Sequence, residues 1–202
     1  MTASALKPET RMRGLKPVVA TAESLQGYGY LIGEPAGRLR DKIDFYGKEV
    51  QVSQPARFRG NDDLCLNLVS FQPRALNVKW MEFHTKHTQT FIPLSGKPFY
   101  MVLGKPTCRR PDGSWDQSKA TLPNPGDVQA FYFDGSGGIV MEVGVWHEVP
   151  FPLDGETHFV CICTNETNDN LEAQGADGDC EGGDLSKRNL AKHMGYSFTI
   201  QP

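Results

Sequence analysis

Long apolar runs and basic clusters are both missing from the 202-residue sequence. The longest apolar stretch, GGIVMEVGVW, is too short and too interrupted by Gly and Glu to span a bilayer, so we expect no membrane span. The formal net charge is −3, and no Lys/Arg stripe alternates with aromatic residues, which argues against nucleic acid as a partner. The beginning of the sequence, MTASALKPETRMRG, has no apolar segment typical of a secretory signal. We therefore expect a cytoplasmic protein.

Cysteine is scarce, with five residues in the chain. An odd number without an export signal favours reduced thiols over a disulfide framework. Cys161 and Cys163 alternate along THFVCICT, which places both on one face of a predicted strand. A soft-metal site would need a further thiol or a histidine in the same strand register, and the sequence has none there. We therefore interpret Cys161 and Cys163 as small buried side chains.

Glycine and proline are plentiful, with 21 and 14 residues, and they separate short segments rich in Val, Ile, Phe, Tyr and Trp. Such segments, among them DLCLNLVSF, PFYMVLG and DVQAFYF, predict a mainly β sandwich or barrel. The turn sequences LSGKP and FDGSGG are typical of hairpins. We expect a single β-barrel domain over residues 1–202, with residues 1–19 as an N-terminal arm.

Two short helices are predicted at the ends of this barrel. Thr21 is a candidate N-cap for a helix in TAESLQGYG. Asp184 or Ser186 is a candidate cap for a C-terminal helix in DLSKRNLAKHMG, which Gly195 would end. Between the last strand and that helix, residues 165–183 are polar and acidic, which predicts a surface loop.

The most informative stretch is MEFHTKHTQTFIP, residues 81–93. In a strand, Trp80, Glu82 and His84 would share one face, with Glu82 and His84 about 7 Å apart along it. That spacing suits two ligands of one ion, or an acid and a base that flank one substrate. Gln89 follows after a polar turn, and a return strand would bring it toward the same interior.

A partner for these groups comes from GIVMEVGVWHEVPF. Continued alternation would place His147 at the end of an apolar face, at the mouth of the interior. A single histidine there would be an ordinary core residue. The convergence of Glu82, His84, Gln89 and His147 instead favours a functional site.

These residues carry a family resemblance. Cupins have the metal-binding order H-x-H-x₃₋₄-E followed much later by a lone His. Here Glu82 takes the first His position, His84 the second, Gln89 the Glu position and His147 the distant His. With TQTFIPLSGKPFYMVLG and VWHEVPFPL, the sequence closely resembles the ureidoglycolate lyase family of the cupin superfamily over residues 20–165.

The resemblance implies a cupin-like jelly-roll β-barrel and a lyase that cleaves (S)-ureidoglycolate to glyoxylate and urea, in purine or allantoin nitrogen catabolism. It implies a divalent metal ion, such as Ni, Zn, Mn or Fe, and metal-assisted elimination from a carbinolamide. The implied metal ligands are Glu82, His84, Gln89 and His147, and Glu82 and His147 are also the candidate catalytic residues.

Several further side chains have competing interpretations. The turn position of His87 favours exposure to solvent, although it is the natural substitute ligand if Gln89 does not coordinate. His158 alternates with Val160 and Ile162 and should lie on the second face of its strand. One of three arginines near the early strands is a candidate for binding the substrate carboxylate: Arg57, Arg59 or Arg74.

Other functions remain open from the sequence. A cupin-type metalloenzyme of different chemistry, such as an isomerase, hydrolase or iron oxygenase, is one alternative. A non-catalytic barrel that binds a small acid or sugar is another. We also expect a homodimer, because open sheet edges need cover, with PFYMVLG and VPFPL as contact segments.

Overall fold

The computed structural model of the protein describes residues 11–33, 43–45, 50–52, 54–61, 63–174 and 178–202. The prediction of a mainly β, cupin-like fold is confirmed. The strands are β1 (Arg11–Leu15), β2 (Val18–Val19), β3 (Gly29–Ile32), β4 (Ile43–Phe45), β5 (Val50–Val52), β6 (Leu64–Phe71), β7 (Asn77–Val78), β8 (Trp80–His84), β9 (Gln89–Pro93), β10 (Phe99–Gly104), β11 (Val128–Phe133), β12 (Gly138–Met141), β13 (Trp146–His147), β14 (Phe151–Pro152), β15 (Thr157–Thr164), β16 (Leu185–Asn189) and β17 (Tyr196–Ile200). Two helices are α1 (Asn165–Gln174) and α2 (Leu190–Met194).

The strands form two large sheets and a smaller one. The seven-stranded sheet has the order β16-β8-β13-β10-β11-β2, and β14 also pairs with β10. The five-stranded sheet has the order β3-β12-β9-β15-β6. A three-stranded sheet, β1-β17-β7, accompanies them, and β4 pairs with β5.

The seven-stranded sheet contributes to two apolar cores. The inner core joins it to the five-stranded sheet and includes Phe99, Met101 and Phe159. The outer core joins its other face to the three-stranded sheet and includes Phe83 and Phe198. A sheet covered on both faces needs apolar side chains at consecutive positions. This explains why every residue of FYMVLG in β10 is buried.

Both predicted hairpins are wrong in their pairing, although both segments are turns. LSGKP joins β9 of the five-stranded sheet to β10 of the seven-stranded sheet, and FDGSGG joins β11 to β12 across the same two sheets. Each segment therefore links two sheets that pack face to face. A turn sequence specifies a reversal of direction, but tertiary packing decides which strands then pair.

The N-terminal predictions need two corrections. Within the predicted arm, residues 1–10 lie outside the described residues, while β1 and β2 are strands that pair in parallel with β17 and β11. Residues 22–28 form hydrogen-bonded turns where a short helix was predicted. Thr21 and Ser24 do cap each other, since each side-chain oxygen accepts from the other backbone N–H. Gly27, at φ 84°, then turns the chain toward β3.

The C-terminal predictions are also corrected. The predicted acidic loop begins with α1, and residues 175–177 lie outside the described residues. The predicted C-terminal helix begins later than expected, because residues 185–189 are a strand paired with β8. Its cap is Asn189, whose side chain accepts from the Lys192 N–H, whereas Gly195 does end the helix as predicted.

Candidate active site

The centre of the candidate site is a pair of residues on adjacent strands. β8 and β13 pair so that Glu82 lies directly opposite His147, and directly opposed residues point to the same face of a sheet. The Nε2 atom of His147 lies 3.4 Å from Oε1 of Glu82. His84, two residues along β8, places its Nε2 atom 3.9 Å from the same oxygen. The structure therefore brings together three of the residues that the sequence singled out.

The position of His147 depends on a glycine between the two large sheets. The alternating row GIVMEVGVWH is not one strand: β12 belongs to the five-stranded sheet and β13 to the seven-stranded sheet. Gly144 turns the chain between them at φ 85°, and a Cβ there would lie 2.6 Å from the Trp115 ring. After this turn, Nδ1 of His147 donates to the Val145 carbonyl at 3.0 Å. In the neutral imidazole, the unprotonated Nε2 then faces Glu82.

The expectation that His87 faces solvent is wrong. Its side chain is only 1% exposed, and its ring centroid lies 4.5 Å from that of His84. The His84 and His147 ring centroids are 5.2 Å apart. Each of these histidines is thus a neighbour of His84, which has imidazoles on both sides.

Asp184 holds His87 in place. Its Oδ2 atom accepts from His87 Nδ1 at 2.5 Å and from the Thr164 hydroxyl at 2.7 Å. Its Oδ1 atom accepts from the backbone N–H groups of Thr85 and Lys86, at 3.0 and 2.7 Å. Both carboxylate oxygens are therefore fully engaged within the protein. Asp184 orients His87 and leaves its Nε2 atom as the available ligand or base.

The start of α1 supports His84 from the side opposite Glu82. Thr164 accepts from the Thr167 backbone N–H at 3.2 Å, in the manner of a helix cap. This arrangement places the Thr167 hydroxyl 3.3 Å from Nδ1 of His84. The Nε2 atom of His84 again faces the interior.

Gln89 reaches the interior from the other sheet. It lies on β9, in the five-stranded sheet, and its side chain is 5% exposed. Its Nε2 atom donates to Sγ of Cys161 at 3.7 Å. Its Oε1 atom has no hydrogen-bond partner within the described residues.

Four buried atoms of these side chains lack a hydrogen-bond partner within the described residues. In the described part of the chain, no hydrogen bond reaches Nε2 of His84, His87 or His147, or Oε1 of Gln89. A buried polar atom without a partner lowers the stability of the fold by about 1–3 kcal/mol. A group of four such atoms therefore indicates a binding site for an ion or a small molecule. Imidazole nitrogens and carboxylate oxygens are also ligands for Zn, Ni, Mn and Fe. Ligand atoms of Glu82, His84 and His147 lie within 4.8 Å of one another, and these residues therefore fit a divalent ion.

Burial sets the charge state of the site. It lowers the pKa of His84 to about 3, with the neighbouring imidazoles of His87 and His147 acting in the same direction. The ring of His84 is thus neutral at physiological pH, as a metal ligand must be. Burial alone would raise the pKa of Glu82, but the adjacent His147 and His84 and the Lys187 ammonium outweigh it and lower that pKa. Glu82 is therefore a carboxylate.

Among the described residues, no contact joins the three arginines proposed for the substrate carboxylate to Glu82, His84 or His147, although the Arg59 backbone pairs with that of Thr88, next to Gln89. Arg57 and Arg59 are exposed. Arg74 donates to the carbonyls of Pro150 and Val149, at 2.6 and 2.9 Å. His158 is exposed on the second face of β15, as predicted.

Sequence reasoning missed two residues on the site, Asp184 and Lys187. Both fall in the segment interpreted as a C-terminal helix, where a helical period hid their position. In β16, Lys187 lies directly opposite Glu82. The alternation of LSKRN, taken with period two, was the signal that could have found it.

None of the helices in the described ranges is both long and apolar enough to cross a bilayer.

Two packed β-sheets with a carboxylate and imidazoles between them define a cupin-like protein with a candidate metal centre. The chain belongs to the ureidoglycolate lyase family, whose family model matches residues 12–181. The similarity extends to individual proteins named ureidoglycolate lyase. The Pseudomonas aeruginosa protein is 29% identical over 170 residues, which cover 80% of this chain and 89% of that protein.

Other relatives of the same name align over shorter stretches. The Azotobacter vinelandii protein is 29% identical over 90 residues, 45% of this chain and 46% of its own length. The Rhizobium etli protein is 29% identical over 109 residues, 53% of this chain and 57% of its own length. The alignments thus span about half the length of these two relatives.

Proposed function

We propose that the protein is a carbon–nitrogen lyase that cleaves (S)-ureidoglycolate to glyoxylate and urea in purine or allantoin nitrogen catabolism. Family membership supports the substrate, and the Glu82–His147 pair supports the chemistry. The single observation that carries the proposal is that pair, with Oε1 and Nε2 3.4 Å apart in a buried site.

The reaction needs a proton to move from oxygen to nitrogen. Ureidoglycolate carries a hydroxyl, a carboxylate and a urea nitrogen on one carbon. Loss of the hydroxyl proton forms the aldehyde of glyoxylate, the carbon–nitrogen bond breaks, and the urea nitrogen gains a proton. No proton is consumed overall, so one acid–base unit can take the proton from oxygen and deliver it to nitrogen. When no ion is bound, we assign that unit to Glu82 and His147, whose facing atoms can share the proton between them.

As the alternative form of the mechanism, we propose that a divalent ion assists loss of the hydroxyl proton, with Nε2 of His147 acting as a ligand in place of its acid–base role. Glu82, His84, His147 and Gln89 would hold it, with His87 as the substitute for Gln89. When bound, the ion would supply Lewis acidity, which lowers the pKa of a hydroxyl as it does that of water. The buried, unpartnered ligand atoms support this assignment, and metal analysis of purified protein after chelation and reloading with Ni, Zn, Mn or Fe would identify the ion.

The test of the function is release of glyoxylate and urea from (S)-ureidoglycolate. We expect Glu82→Gln and His147→Ala each to reduce turnover by about a hundredfold or more, the range for a positioned acid or base. Because the two residues act as a unit, the double variant should resemble the worse single variant. His158→Ala, on the exposed face of β15, is the matched control and should stay within a few fold.

Circular dichroism would confirm that each variant keeps its β structure. Folded, metal-loaded wild-type protein that releases no glyoxylate would contradict the proposal.

A second candidate function has one observation in its favour. Two histidines and one carboxylate, His84, His147 and Glu82, form the ligand set of non-haem iron oxygenases. Oxygen uptake by iron-loaded protein in the presence of a small hydroxy or keto acid would support this alternative over the lyase.

We further propose a cytoplasmic homodimer, with its interface centred away from most of the two contact segments expected from the sequence, of which Leu153 is exposed. Phe99–Gly104 and Phe151–Pro152 are buried within the chain, so they offer no surface to a partner. Of the large apolar side chains in the described residues, Leu66 and Leu68 on the outer face of β6 are the most exposed, each at 67%. An apolar face of this kind on an edge strand favours a partner copy.

A further inference from the structure

Lys187 belongs to the same row of side chains as the candidate acid–base pair. β16 and β8 pair so that Lys187 lies opposite Glu82, and β8 and β13 pair so that Glu82 lies opposite His147. Directly opposed residues share a face, so an ammonium, a carboxylate and an imidazole follow one another across three neighbouring strands. Two strand spacings span roughly 10 Å, which accommodates a small acid lying across the row.

The Lys187 side chain is largely buried within this row of side chains. It is only 8% exposed, although lysine is rarely buried without a purpose. Its Nζ atom lies 4.7 Å from the centroid of the Trp80 ring, which is two residues before Glu82 on β8. A cation is attracted to the face of a tryptophan, and this contact fixes the ammonium beside the site.

The neighbouring arginine on β16 points away from the site. Arg188 is fully buried, and its guanidinium donates to the carbonyls of Cys180, Gln117 and Ser118. Alternation along β16 thus separates a structural arginine from a lysine on the site face. The family model ends at residue 181, so Lys187 lies beyond the matched region.

We propose that Lys187 binds the carboxylate of the substrate and so selects 2-hydroxy acids over neutral analogues. This inference rests on the proposed function for the identity of the substrate. The substrate carboxylate is attached to the reacting carbon. Holding it at Lys187 therefore keeps the hydroxyl and the urea nitrogen over Glu82 and His147. A single ammonium suits this role because it acts as a point charge and leaves the other carboxylate oxygen for a second partner.

The test compares two probes that each represent one half of the substrate. Glycolate carries the carboxylate and hydroxyl without an aldehyde, and urea is the neutral product. We expect Lys187→Met to weaken glycolate binding by about 30-fold or more, measured by calorimetry, while inhibition by urea stays unchanged. The KM for ureidoglycolate should rise by a similar factor. Lys187→Arg should recover most of the loss, and Lys79→Met, at an exposed position on the neighbouring chain segment, is the matched control.

The alternative role for Lys187 is purely to balance the charge of Glu82. In that case glycolate and urea would weaken together in Lys187→Met, and this outcome would overturn the proposal, as would unchanged glycolate binding. If Lys187→Met does not fold, Lys187→Gln replaces it in the same comparison. Wild-type protein that binds glycolate through Lys187 but releases no glyoxylate would refute the proposed function and leave this inference standing.

Discussion

The structure predicts a clear loss of stability for the substitution Asp184→Asn. Asp184 is fully buried, and its carboxylate accepts five hydrogen bonds, the longest from the Thr167 hydroxyl at 3.4 Å. Asparagine keeps one oxygen, which can still accept from the backbone N–H groups of Thr85 and Lys86. It replaces the other oxygen by an NH₂ group, which faces the N–H of His87 and the hydroxyl of Thr164.

The expected loss follows from those last two bonds. A hydrogen bond to a charged group contributes about 1.5–3 kcal/mol, and the Thr164 hydroxyl can rotate to become the acceptor. The His87 ring has no such adjustment without moving its proton to Nε2, the atom that faces the site. We therefore expect Asp184→Asn to lower the free energy of unfolding by about 2–4 kcal/mol at pH 7.

The difference should also depend on pH in a defined direction. Burial opposes ionisation of Asp184, but the hydrogen bond and charge of His87 outweigh it and hold the pKa well below its usual range. A carboxyl with a depressed pKa in the folded state stabilises fully above its unfolded value, near 3.9, and loses that contribution as pH falls further. The gap between wild type and Asp184→Asn should thus be constant above about pH 5 and shrink by up to about 1.4 kcal/mol per pH unit below pH 4.

Urea denaturation at a series of pH values, followed by tryptophan fluorescence, measures this gap. Asp134→Asn is the matched control: Asp134 is exposed and accepts from Ser136 in a turn that asparagine forms equally well. Its effect should stay within about 0.5 kcal/mol. A loss below about 1 kcal/mol for Asp184→Asn, or a gap that does not change in acid, would refute the reasoning.

Two further predictions concern Glu148 and the outer face of β6. Burial raises the pKa of Glu148 to about 7, against the opposing charge of Arg74. A carboxyl with a raised pKa stabilises the folded state at pH values below its unfolded pKa, and this stabilisation is lost as pH rises through 7. In denaturation experiments, the free energy of unfolding of Glu148→Gln should therefore rise relative to that of wild type by up to about 3 kcal/mol between pH 4.5 and 8. A difference that does not depend on pH would contradict this. For assembly, light scattering at micromolar concentration should show a wild-type dimer and a folded monomer for Leu66→Glu, and a monomeric wild type would exclude the proposed interface.

The strand period was enough to predict which side chains of β8 meet. Alternation placed Glu82 and His84 on one face, and the structure has them there because Met81 and Phe83 belong to the outer core. His147 was predicted from a continuous strand that does not exist. The prediction of its position still succeeded, because the turn at Gly144 moves the chain to the other sheet and returns the alternation to the same interior.

The misses arose where local preference and tertiary pairing disagree. The segment from Leu185 to Met194 is rich in Leu, Lys and Arg, which favour a helix, yet pairing with β8 makes its first half a strand. α1 was missed because its composition is polar. Thr164, whose side chain accepts from the Thr167 N–H, was a local signal for its start. The further support from Asp63, which accepts from the Glu166 N–H, comes from the turn before β6, far away in sequence, and has no local signature.

The pairing of β1 with β17 has a consequence for synthesis of the protein. These strands run parallel, with Arg11 beside Tyr196 and Leu15 beside Ile200. β1 is therefore synthesised long before β17, and the outer core stays incomplete until Phe198 and Ile200 have been added. On the ribosome, the nascent chain must carry the apolar outer face of the seven-stranded sheet without cover until translation has passed residue 200. Until then that face is open to chaperones, and a ribosome that stops before β17 releases a chain that cannot close it.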